Sequence, residues 1–225
     1  MEKRVVAAFL FILVFPAVLL ALSGNLLWTE GWIFSLWFII LSYSVVLYLY
    51  RNDPALLAER YKKPGAGNQP GWDRIVVYGI FIGFIVWIVI IPLDAERFGW
   101  SPTFPFWLKV AGFIALAGSA FLIFRSYTDN TFLSPLVRIQ GDRQQRVVST
   151  GVYGFVRHPM YLGAILMFFG APLLLGSGYG LLAGLALTDL LMARIIGEEA
   201  VLATELEGYR EYMQTVRFRL IPFLW

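Results

Sequence analysis

The sequence contains no cysteine and a single histidine, His158, and both scarcities limit its chemistry. Without cysteine the chain has no disulfide, no thiolate metal site and no cysteine nucleophile. With one histidine, a zinc or iron site built from several imidazoles is not expected, so we predict no metal. Charged residues are also scarce, at 15% of the chain against about 25% in soluble domains, which argues against a soluble globular protein.

Apolar residues take the place of the missing charge. Hydrophobic residues make up 59% of the 225 positions and aromatic residues 17%, and the mean hydropathy is +0.69. This composition predicts an integral membrane protein whose core lies in lipid. The formal charge of +3 is too small to suggest a nucleic-acid partner, and we interpret it as a signal of orientation in the bilayer.

Six apolar runs predict an all-α fold with about six transmembrane helices. The runs cover residues 5–22, 31–50, 75–93, 105–124, 160–175 and 181–193. The last two are short for a bilayer, which needs about 20 helical residues, so they are predicted to form a short helical hairpin that either spans or is re-entrant. From Arg194 onward we predict a helical tail, in which apolar residues at helical spacing between 202 and 216 indicate an amphipathic helix.

The distribution of basic residues predicts the orientation of these helices. With six spans, all of the 18 lysines and arginines except Arg97 and Lys109 fall on the side of the membrane that also holds both termini. Since cytoplasmic loops carry the excess of lysine and arginine, we expect both termini, and the tail, to be cytoplasmic.

The stretch VVSTGVYGFVRHPMYLG, residues 147–163, is the first candidate site. Pro159 is preset to open a helix, so the unpaired N–H groups of that helix end would favour an anionic group at the membrane surface. Tyr161 lies one turn further and could stack on a ring or donate a hydrogen bond. The alternative is that Arg157 and His158 are anchors that bind lipid headgroups.

A second candidate site begins where the last apolar run ends. Arg194, Glu198 and Glu199 would form an acidic pair beside an arginine at the membrane edge, an arrangement whose desolvation cost favours a functional role. The carboxylates could bind ribose hydroxyls or a cationic cofactor. The alternative is a solvated salt bridge between Arg194 and Glu198, which are four residues apart. Further on, Arg217 and Arg219 can face anionic lipid or a substrate carboxylate.

Taken together, these motifs resemble the isoprenylcysteine carboxyl methyltransferase and phospholipid methyltransferase family of membrane enzymes. The resemblance is carried by RHPMYLG, by Arg194-x-x-x-Glu198-Glu199 and by GYREYMQTVRFRLIP, whereas DPALLAERYKKPGAGNQPGWDR and residues 129–134 look like the bacterial branch. It implies S-adenosyl-L-methionine as cofactor, and as substrate a prenylcysteine-like carboxylate or a lipid amine. It also implies one membrane methyltransferase domain, 1–225, in a bacterial inner membrane.

The family resemblance also implies roles for individual residues. A four-helix part, 1–125, would precede a cofactor-binding catalytic part, 126–225. Arg194, or Arg157 as a second choice, would orient an anionic substrate, and Glu198 and Glu199 would complete the catalytic set. The residues implied to bind the cofactor are Gly151, Tyr153, His158, Pro159, Tyr161 and Glu198. Methyl transfer would proceed by in-line displacement, with catalysis coming mainly from positioning and electrostatics.

Two other functions are compatible with the sequence. Membrane sterol reductases, which bind NADPH, look similar in the same places, although they are usually longer, and the short chain favours methyl transfer. A non-catalytic membrane protein that binds lipid is the other alternative. The joint presence of six residues argues against it: Arg157, His158, Tyr161, Arg194, Glu198 and Glu199. In all three cases membrane lipids are the expected surroundings.

Overall fold

The computed structural model describes residues 2–225 of the chain, with side chains from Val6 onward. Met1 lies outside the described residues. So do the side chains of Lys3 and Arg4, two basic residues that were counted in the predicted charge bias. Within residues 2–225 all regular elements are helical, so the predicted all-α class is confirmed. The α-helices are α1 (Glu2–Ser23), α2 (Thr29–Asn52), α3 (Pro54–Arg60), α4 (Gly71–Pro92), α5 (Phe106–Asp129), α6 (Pro159–Leu175), α7 (Gly178–Glu205) and α8 (Tyr209–Thr215).

Five helices are long and apolar enough to cross a membrane, which confirms an integral membrane architecture. They are α1, α2, α4 with its π-helical continuation Leu93–Phe98, α5 and α7. The sixth apolar helix, α6, has only 17 residues. It begins with a proline at its first position and ends at Gly176, whose left-handed φ of 87° terminates the helix.

The sequence prediction for the last span was wrong. Helix α7 has 28 residues and continues through Arg194, Glu198 and Glu199, instead of ending at residue 193 before a separate tail. Arginine and glutamate are good helix formers, so they do not end a helix by themselves. All three side chains make hydrogen bonds inside the bundle, so the helix can continue through these polar residues without leaving them unpaired.

The prediction of one amphipathic helix over residues 202–216 was also wrong. Helix α7 ends at Glu205, Leu206 is extended, and Gly208 adopts a left-handed φ of 79° before α8 begins. A left-handed residue breaks the helical path, and glycine adopts that conformation without a steric penalty. Helix α8 therefore turns back, and the Tyr212 hydroxyl donates to the Tyr153 carbonyl oxygen over 2.7 Å.

The bundle is held together by close helix contacts around a buried aromatic core. Trp87 is fully buried and donates its indole N–H to the Phe168 carbonyl oxygen of α6. Helices α5 and α6 approach so closely at Gly112 that a Cβ atom there would overlap the backbone of α6. A Cβ at Gly184 of α7 would likewise meet the Phe168 carbonyl group, so the small-residue spacing Gly180-x-x-x-Gly184 serves helix packing.

Polar clusters mark the two ends of the bundle. At one end, Asp94 is fully buried and accepts hydrogen bonds from the hydroxyls of Ser101 and Ser177, at 2.8 and 2.6 Å, so the ends of α4 and α6 are joined there. The other end, here called the site end, gathers residues 53–74, 130–161 and 194–219. All the residues predicted for the site lie at the site end.

Candidate active site

The two stretches predicted from the sequence meet at the site end and enclose a cavity of about 220 Å³. Its walls come from the start of α6, the polar end of α7, helix α8 and the loop 130–148. Six of the predicted site residues line it: Tyr153, Arg157, His158, Tyr161, Arg194 and Glu198. The other three, Gly151, Pro159 and Glu199, are not among the residues that line the cavity.

His158, Tyr161 and Glu198 form the polar wall between α6 and α7. The rings of His158 and Tyr161 lie 5.5 Å apart and are inclined by only 24°, so they stack. The Tyr161 hydroxyl donates to a Glu198 carboxylate oxygen over 2.6 Å. Among the residues that the structure describes, no basic side chain lies within 4.0 Å of the Glu198 carboxylate, so it is a carboxylate on the cavity wall without an ion-pair partner.

Glu199 points the other way, into a closed cluster of charges. It is 3% exposed, and one carboxylate oxygen contacts Arg157 Nε at 2.6 Å and His158 Nε2 at 3.1 Å. The second oxygen contacts Arg219 Nε at 2.8 Å. Arg157 also donates to the carbonyl oxygens of Val216 and Arg217. These contacts occupy both carboxylate oxygens of Glu199 and the Nε and Nη1 of Arg157, and they join the start of α6, α7 and the segment after α8.

Arg194 pairs with a residue that the sequence did not reveal. Its Nε lies 2.8 Å from Asp73, which is fully buried at the start of α4, and its Nη2 donates to the Pro135 carbonyl oxygen over 2.7 Å. The alternative of a salt bridge between Arg194 and Glu198 is therefore not what forms. Arg194 lies 5.9 Å from the Tyr161 ring, and its Nη1 makes no hydrogen bond within the described part of the chain.

Asp73 also fixes the loop that closes the cavity. It accepts hydrogen bonds from the Val137 amide, at 2.9 Å, and from Gln69. The same loop is held by Glu59 of α3, which contacts Arg138 at 2.8 Å and is 2% exposed. Burial works to raise the pKa of the Glu59 carboxyl, but hydrogen bonds led by that from Arg138 outweigh it and lower the pKa to about 2.

Tyr153 brings a buried hydroxyl to the cavity wall. Burial raises the pKa of this phenol, so it is neutral at physiological pH. Asn130 and Ser126 face the hydroxyl, but within the described residues it makes no hydrogen bond of ordinary length and angle. A buried hydroxyl without a partner is costly, and a bound polar group at this wall would satisfy it.

Gly151 and Pro159 shape the backbone near the cavity. Gly151 has a left-handed φ of 59° and lies so close to Asp129 that a Cβ atom would overlap the carboxylate. The same carboxylate accepts the Val152 amide over 2.9 Å and pairs with Arg125. Pro159 occupies the first position of α6 and is buried. Both residues therefore position Tyr153 and His158, their neighbours in the chain.

Sequence reasoning missed Asp73 and Glu59, which hold Arg194 and the loop in place. Both lie in the polar segment between the second and third apolar runs, and hydropathy marks it only as a connection. The sole signal was the similarity of DPALLAERYKKPGAGNQPGWDR to the bacterial branch, which contains both residues. Within residues 2–225 no group of three or more histidine, cysteine, aspartate or glutamate side chains could hold a metal ion.

Two comparisons with known proteins show what part of this chain is similar to. A sequence model of the family described as phospholipid methyltransferase matches residues 107–207, a segment that holds all nine predicted site residues. The Protein-S-isoprenylcysteine O-methyltransferase of Schizosaccharomyces pombe is 33% identical over 85 residues, which cover 37% of this chain. The match spans only 36% of the length of that relative. Residues 107–207 are thus similar to the phospholipid methyltransferase family, which bears out the family resemblance stated from the motifs in this segment; the comparisons do not distinguish the bacterial branch.

Proposed function

We propose that this protein is an S-adenosyl-L-methionine-dependent methyltransferase that acts on a lipophilic substrate at the cytoplasmic face of a membrane. One observation carries the proposal. Within the segment that matches the family, His158, Tyr161 and Glu198 line one cavity at the polar end of an apolar bundle. A cofactor with hydroxyl groups and a cationic centre can enter from water there, while an apolar substrate tail stays in lipid.

The residues present fit this cofactor. Glu198 offers a carboxylate without an ion-pair partner to ribose hydroxyls or to positive charge, and the stacked rings of His158 and Tyr161 offer an aromatic surface. The buried Tyr153 hydroxyl would gain its missing partner. When bound, S-adenosylmethionine supplies an electrophilic methyl group on a sulfonium centre.

The chain's own residues would position the methyl acceptor and, if the acceptor is an amine, would also remove its proton. Arg194 is held rigidly by Asp73 and keeps its Nη1 for an anionic group of the substrate, such as a carboxylate. A carboxylate acceptor needs no base. An amine acceptor must lose a proton, and Glu198 or His158 lies on the cavity wall to take it. Arg157 and Glu199 contact each other and are proposed to position His158, whose Nε2 contacts the same Glu199 oxygen as Arg157 Nε.

A thermal-shift experiment on detergent-purified protein tests this function. S-adenosylhomocysteine at about 100 times its dissociation constant adds about 2.7 kcal/mol to stability, so we expect a clear rise in the melting temperature with it and none with NADPH. Glu198→Gln and His158→Ala should abolish the rise. Glu207→Gln, which changes an exposed carboxylate in the same way, should keep it.

The outcomes separate the alternatives. Stabilisation by NADPH alone would replace this proposal with a reductase, and no response to either ligand would favour a lipid-binding protein. Incubation with labelled S-adenosylmethionine and a membrane lipid extract, followed by identification of the labelled product, would then show the acceptor.

A further inference from the structure

Residues 216–225, here called the strap, run along the segment that precedes α6. The Arg157 amide donates to the Phe218 carbonyl oxygen over 3.0 Å, and the His158 amide donates to the Arg219 carbonyl oxygen over 2.9 Å. The strap thereby pairs with the backbone on which His158 stands. It lies behind the cavity wall, because none of its residues is among those that line the cavity.

Arg219 links the strap to Glu199 as well. Its Nε contacts Glu199 Oε2 at 2.8 Å, while Arg157 and His158 share Oε1. Each carboxylate oxygen therefore has its own arginine, and rotation of the carboxylate would break a charge-assisted hydrogen bond on either side. Arg219 is itself held in place, because its guanidinium lies 4.8 Å from the centre of the Trp225 ring and its amide donates to the Trp225 carbonyl oxygen.

We propose that Arg219 is a positioning residue of the site: by fixing Glu199 it holds the His158 imidazole in one orientation and one tautomer. A carboxylate accepts hydrogen bonds, so Glu199 places the proton of a neutral imidazole on Nε2 and leaves Nδ1 as an acceptor. With Arg219 removed, the carboxylate can turn about its remaining contact with Arg157, and the bond to His158 is no longer fixed. The consequence for cofactor binding rests on the proposed function.

The chain provides an unusually clean test of this inference. Because His158 is the single histidine of the sequence, an NMR spectrum of protein labelled with ¹⁵N-histidine shows the two ring nitrogens of one residue. Their chemical shifts report which nitrogen carries the proton. For this experiment the protein is purified with an affinity tag that contains no histidine. Arg217 provides a matched control in the same strap, since it is exposed and its side chain makes no ion pair among the described residues.

We expect the unmodified protein and Arg217→Ala to show one set of signals, with the proton on Nε2. Arg219→Ala should shift them toward a mixture of tautomers and weaken S-adenosylhomocysteine binding by about tenfold, the lower end of the loss seen when a group that orients a metal-ligating imidazole is removed. Arg219→Lys keeps the positive charge, so its imidazole signals should lie between those of the unmodified protein and those of Arg219→Ala. This variant keeps the test possible if the alanine variant unfolds.

Two results would overturn the inference. One is an Arg219→Ala protein that folds and keeps the imidazole signals of the unmodified chain. The other is an equal change in Arg217→Ala, which would mean that any loss of charge from the strap has this effect. If the signals change as expected but the unmodified protein does not bind S-adenosylhomocysteine, the proposed function fails and the positioning role stands.

Discussion

Glu59 illustrates how single residues hold this site together. It is buried in α3 and accepts hydrogen bonds from Arg138, at 2.8 and 2.9 Å, and from Ser134, so one carboxylate fixes two points of the loop that closes the cavity. A pKa lowered to about 2 means that the folded protein favours the ionised form. Ionisation of Glu59 therefore contributes to stability.

This contribution predicts a specific dependence of stability on pH. It is fully present above the ordinary glutamate pKa of about 4.5 and is lost as the pH falls toward about 2, because the unfolded chain binds the proton first. We expect the free energy of unfolding of the unmodified protein to exceed that of Glu59→Gln by on the order of 1–3 kcal/mol at neutral pH. This difference should disappear as the pH falls from about 5 to about 2. Melting temperatures across that range measure it.

Asp142 provides the control for this prediction. It contacts the same Arg138 at 3.2 Å, but its side chain is 57% exposed. Solvent screens so exposed a pair, so Asp142→Asn should follow the unmodified protein closely across the same pH range. A constant gap between Glu59→Gln and the unmodified protein would contradict the role assigned to Glu59 ionisation.

At the residue scale, the sequence identified the polar groups but not their pairings. His158, Tyr161 and Glu198 were predicted for one site and do share a cavity, because proline before an apolar run and carboxylates after one are local signals. The partner of Arg194 is Asp73, which lies 121 positions away in the chain. Such a pairing depends on how α4 and α7 pack, and periodicity within either helix does not contain it.

At the scale of helices, the close contact between α5 and α6 offers a direct test of how the helices pack. Gly112 faces the backbone of α6 at Gly170 and Leu174, where neither side can move without shifting a helix. Gly118, further along α5, faces only the end of the Leu166 side chain at 3.4 Å. The two glycines therefore differ in what a methyl group would meet.

This difference predicts opposite outcomes for one and the same substitution. Gly112→Ala should destabilise the protein by about 1–3 kcal/mol, the usual cost of overpacking. Gly118→Ala should be neutral or slightly stabilising, because alanine favours a helix over glycine by up to about 1 kcal/mol. Melting in the same detergent compares the two, and equal effects would show that α5 and α6 are not in the close contact described.

The sequence predicted helices better than their ends. Each apolar run lies inside a helix or extends beyond it by one residue, since hydropathy reports directly which residues can face lipid. The end of α7 was misplaced by 12 residues, from 193 to Glu205, because polar residues that face a protein interior look the same in a sequence as residues that face water. The break at Gly208 depends on one left-handed residue within a pattern that otherwise continues.

At the scale of the whole molecule, the fold makes a prediction about membrane sidedness. The connection after α3 and the segment after α7 belong to the site end, whereas Thr103 follows α4 at the opposite end. The chain has no cysteine of its own, so single cysteines introduced at exposed positions carry no background label. Asn68→Cys and Glu207→Cys should react from one side of the membrane, and Thr103→Cys from the other.

Labelling with a membrane-impermeant maleimide measures this. We expect Thr103→Cys to react on intact cells and the other two only in inverted vesicles, as the excess of basic residues at the site end indicates. Reversal of both patterns would keep the topology and change the proposed face. Reaction of all three from the same side would contradict the spanning assignment of α4 and α5.

The strap has a further consequence, for the order of events during biosynthesis. It follows helices α1 to α7 along the sequence, so a ribosome releases α7 before it releases the residues that pair with Arg157 and His158. The apolar helices can therefore leave the translocon and assemble in lipid while the imidazole is still unconstrained. The strap therefore pairs with Arg157 and His158 only after these helices have been made, and a chain stalled after α8 would hold every residue that lines the cavity while His158 still lacks its contacts with the strap.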